Sequence, residues 1–200
     1  MAKLFFPDKK LIVTLQEGKD LGKQYLLKRI VRNLILKKAD VITAISSYLA
    51  DYAQMISPRA QVIQIPNGVD LNKFILDGPH DPKTLITTGR LVKKNGTNDL
   101  IAAVALVKKR IPDIKLLILA DGEQKEELKS QAAFLGLEHN IEFLGGVSHG
   151  LVPQYLARAS IFARPSLSEG LGSSFLEAMA AGLAVIGTPV GGIPDFLKDG

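Results

Sequence analysis

Short apolar runs and longer amphipathic segments alternate along the chain. The runs are rich in β-branched residues and almost continuously apolar, which is typical of strands covered on both faces. The segments between most of them carry apolar residues three and four positions apart, as amphipathic helices do. The alternation predicts an α/β fold with parallel sheets and right-handed crossovers. The eight predicted strands are Leu11–Leu15, Val41–Ile45, Val62–Ile65, Thr84–Thr88, Leu116–Ala120, Ile141–Leu144, Ile161–Ala163 and Ala184–Gly187.

The pattern is interrupted once, between Pro66 and Lys83. Pro, Gly, Asn and Asp are concentrated there and neither period continues, which indicates a turn-rich linker. We place a domain boundary near residue 74. The first block has too few strands for a doubly wound sheet, and the chain stops at Asp195–Gly200, predicted as a helix and a turn. We therefore expect residues 1–74 to be the C-terminal part of one domain, and 75–200 a second domain truncated at its C-terminus.

Composition narrows the class of protein. The chain has 200 residues, of which 46% are hydrophobic, enough for a sizeable core. It lacks cysteine, which excludes disulfides and thiolate metal sites and fits a cytoplasmic location. Neither a secretory leader nor an apolar run of about 20 residues is visible, so we expect a soluble or peripheral protein. The net charge of +5 fits either an anionic partner or a merely solvated surface.

The loop after the strand Ile161–Ala163 has the features of a diphosphate site. Ligands of open α/β sheets bind at the carboxyl ends of strands. Gly170 and Gly172 allow close approach of backbone amides, and a helix predicted to start near Ser173 presents its N-terminus. Glu169 lies in this loop and Glu177 about one turn into the helix, where a carboxylate can accept from sugar or ribose hydroxyls. Alternatively, the glycines only form a turn and the glutamates face solvent.

A second loop, after the strand Thr84–Thr88, is cationic. Arg90 can contact phosphate oxygens with two N–H groups, and Lys94 or Lys93 can add a point charge. The two loops together can neutralise a leaving diphosphate without a metal. The sequence contains no Asp-x-Asp motif, and its three histidines are scattered, so we predict surface positions for them and no metal site. They are His80, His139 and His149.

Six motifs occur in an order that resembles the retaining glycosyltransferases of family four, which have the GT-B fold of two Rossmann-like domains. The resemblance extends from about residue 10 to 200, with both domains incomplete. The motifs are PNGVD (66–70), GRLV (89–92), FLG (143–145), PSLSEGLG (165–172), LEAMAAG (176–182) and GGIP (191–194).

The resemblance implies roles for individual residues. Glu169 matches the glutamate that holds the transferred sugar near its reacting carbon, Glu177 the one that binds the ribose, and Arg90 the diphosphate-binding arginine. The remaining donor contacts would come from the backbone: Leu171, Gly172 and Ser173 at the phosphates, and Gly145 to Val147 beside the base.

The implied reaction is transfer of a sugar from a nucleoside-diphosphate sugar, such as a UDP- or GDP-sugar, to a glycan or lipid-linked acceptor. The family retains the anomeric configuration and needs neither a metal nor a separate cofactor. Cell-envelope polysaccharide biosynthesis in the cytoplasm, at the inner face of the plasma membrane, is the expected setting. Nucleic acid is not an expected partner, and the oligomeric state is not predicted.

Two departures from the family pattern stand out. Asn95 occupies the position before Gly96 where the family usually has lysine, so Lys94 or Lys93 would have to reach the phosphate. After the first strand, where the family often has a histidine, the chain has Gln16 and Glu17, which we leave unassigned.

Residues 22–38 are predicted to form a basic amphipathic helix. Its cations are Lys28, Arg29, Arg32, Lys37 and Lys38. Our preferred interpretation is a surface helix whose apolar stripe packs on the sheet. The alternative is peripheral contact with an anionic membrane that carries a lipid-linked acceptor.

A dinucleotide oxidoreductase is disfavoured, because Gly170–Phe175 lacks the third glycine of the fingerprint. Two other functions remain open. An isomerase resembling the nucleotide-sugar 2-epimerases is the first alternative to a transferase. An inactive nucleotide-binding fragment is the second, since the acceptor-side domain is incomplete.

Overall fold

A computed structural model describes residues 8–16, 26–74 and 81–199. The described chain groups into two compact units. The first contains the residues up to Asn67 together with Ser168–Gly172 and the residues from Pro189 onward, and the second contains Gly68–Leu167 and Ser173–Thr188. The predicted boundary near residue 74 stays a prediction. The first continuous segment of the first unit ends at Asn67, and two later segments also belong to that unit.

The first unit is built on a three-stranded parallel sheet in the order β1-β2-β3. In the register, Ile12 lies opposite Val41, and Val41 lies opposite Gln61. The strands are β1 (Ile12–Leu15), β2 (Val41–Ala44) and β3 (Gln61–Gln64), and the helices are α1 (Leu26–Lys37) and α2 (Ser47–Ile56).

The start of α2 is capped from a distant part of the sequence. Ser46 is the N-cap and accepts from the Leu49 amide at 3.4 Å. The Asp195 carboxylate accepts from the Ser47 amide at 2.7 Å and from the Ser47 hydroxyl. Since the first amides of a helix have no internal partners, this carboxylate stabilises the helix and complements its dipole. The predicted C-terminal helix is wrong: the described residues up to 199 form only a 3-10 turn there, Ile193–Asp195, and the Asp195 side chain caps α2.

Replacing Asp195 with alanine is expected to lower the free energy of unfolding by about 1–2 kcal/mol, because α2 loses a cap. Urea unfolding followed by circular dichroism measures this. The control is Asp51→Ala, an exposed acidic position within the same helix, which is expected to leave stability unchanged. Equal effects of both variants would contradict the capping role.

The second unit is built on a five-stranded parallel sheet in the order β6-β5-β4-β7-β8. Strands are added on both sides of β4, as in doubly wound folds. Its main core packs β5 against α4 and α5. The strands are β4 (Thr84–Arg90), β5 (Lys115–Asp121), β6 (Ile141–Phe143), β7 (Ile161–Arg164) and β8 (Ala184–Gly187). The helices are α3 (Leu71–Phe74), α4 (Thr97–Lys108), α5 (Lys125–Phe134), α6 (Val152–Leu156) and α7 (Ser173–Ala180).

All eight predicted strands are confirmed, with bounds that differ by no more than two residues. The predicted linker 66–83 is wrong in one respect, because α3 forms within it. This short helix is anchored by Phe74, which is buried, and it packs against α7. Residues 75–80 of the linker lie outside the described part of the chain.

The preferred interpretation of the basic helix, with its apolar stripe packed on the sheet, is wrong for most of that stripe. Only Leu36 of α1 is buried. The packed side of the helix is largely polar: Arg32 donates to the Tyr52 hydroxyl at 2.6 Å, and that hydroxyl donates to Asn33 at 2.7 Å. Six apolar side chains are between 44% and 74% exposed, namely Leu26, Leu27, Ile30, Val31, Leu34 and Ile35.

Residues 22–25 of the predicted helix lie outside the described chain. Among the helices that the structure describes, none combines the length and apolar character needed to cross a bilayer.

Candidate functional site

The carboxyl ends of the strands in the second unit carry most of the predicted donor-binding residues. Arg90 is the last residue of the central strand β4, and its side chain is exposed. The chain then forms a 3-10 turn, Lys93–Asn95, in which Lys94 is half-buried. The Lys94 carbonyl accepts from the Leu167 amide at 2.7 Å, so the loop after β4 is joined to the loop after β7.

Asn95, which replaces the expected lysine, has a role within its own loop. Its side chain is buried, and its amide donates to the Arg90 carbonyl at 2.7 Å. A buried amide with this partner closes the loop behind Arg90 and satisfies a backbone acceptor. The cations available at this loop are therefore Arg90, Lys93 and Lys94.

Arg164, at the end of β7, is a cation that the sequence reasoning missed. Its guanidinium is buried and donates to the Ser174 hydroxyl at 2.7 Å, and to the Thr88 carbonyl at 3.3 Å. It also lies over the Phe175 ring at 4.7 Å from the centroid. Because Ser174 is in the first turn of α7, a fixed positive charge lies close to that helix N-terminus. The available signal was an arginine at the end of an otherwise apolar strand.

Helix α7 begins at Ser173, as predicted, and places Glu177 in its second turn. The Glu177 side chain is only 15% exposed, and its Oε1 lies 2.9 Å from Nε2 of His149. This arrangement excludes the interpretation in which Glu177 simply faces solvent. His149 is a surface residue, as expected, but it is also a partner of a predicted binding residue.

The loop after β6 contains Gly145 and Val147, and it lies beside the end of β5. A Cβ on Gly145 would be 3.9 Å from the Asp121 carboxylate. The Lys125 ammonium, at 2.9 Å, and the Gly122 amide, at 2.8 Å, hold the pKa of Asp121 below its usual value. This carboxylate therefore stays ionised at neutral pH and adds a negative charge to the edge.

The loop with Glu169 belongs to the first unit. Glu169 is half-buried, and its Oε1 accepts from the Gly170 amide at 3.0 Å. Its carbonyl accepts from the Gly192 amide at 3.3 Å, so the GGIP motif supports this loop. Leu171 and Gly172 are buried.

The structure thus gathers one group of predicted residues at the carboxyl edge of the second sheet, and it holds Glu169–Gly172 in the first unit. The first group comprises Arg90, Lys94, Gly145, Val147, Ser173 and Glu177. His139 lies before β6, at the opposite edge, where its carbonyl accepts from Lys115. Gln16 is exposed, while Glu17 and His80 lie outside the described residues.

Within the described residues, no group of three or more His, Asp or Glu side chains is arranged to hold a metal ion.

Comparison with known proteins supports the fold. The crystal structure of Anabaena HepE in complex with UDP and glucose superposes with a TM-score of 0.86 at 22% identity, over 98% of this chain and 57% of that one. The chain therefore has an α/β architecture of the GT-B type.

Two sequence relatives are similar over most of the chain. A GDP-mannose-dependent α-(1-6)-phosphatidylinositol monomannoside mannosyltransferase of Mycolicibacterium smegmatis is 31% identical over 94% of this chain and 55% of its own length. A subunit of the phosphatidylinositol N-acetylglucosaminyltransferase of Schizosaccharomyces pombe is 32% identical over 72% of this chain and 32% of its own length. The chain thus spans about half or less of the curated relatives it matches.

The family model described as glycosyl transferases group 1 matches residues 69–200. This segment covers β4 to β8, the loops at their carboxyl ends, and both glutamates. The chain therefore belongs to the group 1 family of glycosyl transferases.

Proposed function

We propose that this chain carries the donor-binding half of a glycosyltransferase that moves a sugar from a nucleoside-diphosphate sugar to a lipid-linked acceptor. The observation that supports it most is the composition of one sheet edge in the second unit. An arginine ends β4 and lysines follow it, a glycine-rich loop follows β6, and a buried arginine ends β7 ahead of a helix N-terminus. Such an edge suits a nucleoside diphosphate, with its base, its ribose and its diphosphate.

Within this proposal, Arg90 and Lys94 neutralise the charge that develops on the leaving diphosphate. The bond between the anomeric carbon and the diphosphate oxygen breaks, and the electron pair goes to the leaving group. The acceptor hydroxyl forms its new bond on the same face of the sugar, so that the configuration is retained, and its proton passes to the diphosphate. Positive charge beside the leaving group lowers the barrier, and in this proposal it does so without a metal ion. Glu169 is assigned to the transferred sugar from the family resemblance alone.

The acceptor class follows from what the relatives are named for. Both relatives described above carry phosphatidylinositol or one of its glycosides in their names. We infer an inositol phospholipid, or a glycoside of one, as the acceptor of this protein too.

Retention of the anomeric configuration is tested by NMR of the anomeric proton in the product. Metal independence is tested by measuring sugar transfer in the presence of EDTA.

The first experiment is calorimetric titration of the chain with UDP, GDP and ADP, each with and without magnesium. One nucleotide is expected to bind in both conditions, which would support the donor site and identify the base. Failure of all three to bind would overturn the proposal. Release of that nucleotide from its sugar conjugate only when acceptor lipid is added would distinguish a transferase from an isomerase.

Replacing Glu177 with alanine is expected to weaken nucleotide binding by about 1–3 kcal/mol, since the ribose hydroxyls lose a charged acceptor. This corresponds to an increase in Kd of roughly 5- to 150-fold. The matched control is Glu138→Ala, an exposed glutamate before β6 at the opposite edge of the sheet. An unchanged Kd for the Glu177 variant would rule out the ribose role.

A further inference from the structure

The contact between His149 and Glu177 carries an inference beyond the donor site itself. Glu177 projects from α7, whereas His149 begins the turn that leads into α6. The two residues are 28 positions apart in the chain, and Nε2 of the ring lies 2.9 Å from Oε1 of the carboxylate. The histidine side chain is 71% exposed while the glutamate is 15% exposed, so an accessible group contacts a largely enclosed carboxylate.

The His149 ring has a second contact that restricts it. The ring of Phe74 meets it edge to face, with centroids 6.1 Å apart and planes at 63°. Phe74 is buried, and its helix α3 packs against α7. The imidazole is therefore bound on one side to an anchored aromatic ring and on another to the carboxylate. Such a ring loses little additional freedom when it orients a neighbour.

The chemistry of the pair determines the direction of the hydrogen bond. An ionised carboxylate only accepts, so Nε2 must carry the proton. A carboxylate has two oxygens with about four acceptor positions, and the histidine occupies one of them. Within the described part of the chain, Oε2 and the second position on Oε1 are left to accept from other donors. Two neighbouring hydroxyls are the donors that suit two such positions.

We propose that His149 is a positioning residue that holds the Glu177 carboxylate in the orientation needed to accept from both hydroxyls of the donor ribose. This inference rests on the proposed function, which places a ribose at Glu177. Without the imidazole, the carboxylate can rotate and the two hydroxyl contacts become weaker. Contacts of the base and the diphosphate do not pass through this pair and are expected to be unaffected.

The test uses the one nucleotide among UDP, GDP and ADP that the unaltered chain binds. It compares the affinity for this ribonucleotide with the affinity for its 2′,3′-dideoxy counterpart. The unaltered protein is expected to prefer the ribonucleotide by about tenfold or more, since each hydroxyl forms a charge-assisted bond. In His149→Ala this preference should fall to about threefold or less, with the affinity for the dideoxynucleotide unchanged. His149→Gln, whose amide can donate to the same oxygen, should keep most of the preference.

A double variant tests whether His149 acts through Glu177. In the Glu177→Ala background, adding His149→Ala should not change the affinity for the ribonucleotide any further. An equal loss of affinity for both nucleotides would overturn the inference and leave the donor site standing. Tighter binding by His149→Ala would also overturn it, because the imidazole would then be a competitor of the ribose. If the unaltered chain bound neither nucleotide, the proposed function would fail, and this inference with it.

Discussion

Replacing Gly96 with alanine is expected to destabilise the second unit by about 2–5 kcal/mol. Gly96 lies between the cationic turn Lys93–Asn95 and α4, and its φ is 68°. Residues other than glycine adopt this left-handed conformation at a cost of about 1–2 kcal/mol. A Cβ there would lie 2.0 Å from the Pro165 carbonyl oxygen. Relief of that overlap requires the loops after β4 and β7 to separate, and overpacking of this kind adds about 1–3 kcal/mol.

The chain offers a matched control for the steric part of this effect. Gly136 has a φ of 66°, nearly the same, but a Cβ there would meet nothing within 4 Å. Gly136→Ala is therefore expected to cost only the conformational part, about 1–2 kcal/mol. Urea unfolding of the two variants measures the difference. Equal destabilisation would mean that the close approach of Gly96 to Pro165 does not matter for stability.

Replacing Glu169 with glutamine is expected to lower kcat/KM for sugar transfer by about 100-fold or more while the Kd of the nucleotide changes less than about twofold. The reason is that a misplaced reacting carbon costs roughly this factor even when binding persists. Glutamine keeps an oxygen that can accept from the Gly170 amide, as Oε1 of the glutamate does at 3.0 Å. The local loop is therefore expected to remain folded, and the variant tests the carboxylate itself.

The measurement is release of nucleotide from the sugar conjugate in the presence of acceptor lipid, beside a calorimetric titration of the nucleotide. Glu138→Gln removes the same charge from an exposed position and should behave as the unaltered protein. Normal turnover by the Glu169 variant would refute its assignment to the transferred sugar. A parallel loss of turnover and nucleotide affinity would place Glu169 on the nucleotide instead.

The strands were predictable because each is short and apolar, and burial on both faces of a parallel sheet demands that composition. The start of α7 was predictable too, because the glycine-rich loop before it and Gly182 after it delimit the helix. Helix α3 was not predicted, since one helical turn has no detectable period. It exists because Phe74 is buried against other elements.

At the candidate site, too, some features were predictable from the sequence and others were not. The sequence alone determined which residues follow each strand, and parallel strands bring their carboxyl ends to one edge, so Arg90 and Glu177 were identifiable. Only the tertiary structure decided what those residues touch. In the structure, Arg164 is a buried cation near α7, Asn95 closes the loop behind Arg90, and His149 contacts Glu177. Contacts between residues far apart in the chain depend on strand register and side-chain direction, and a local pattern of apolar and polar positions does not contain either.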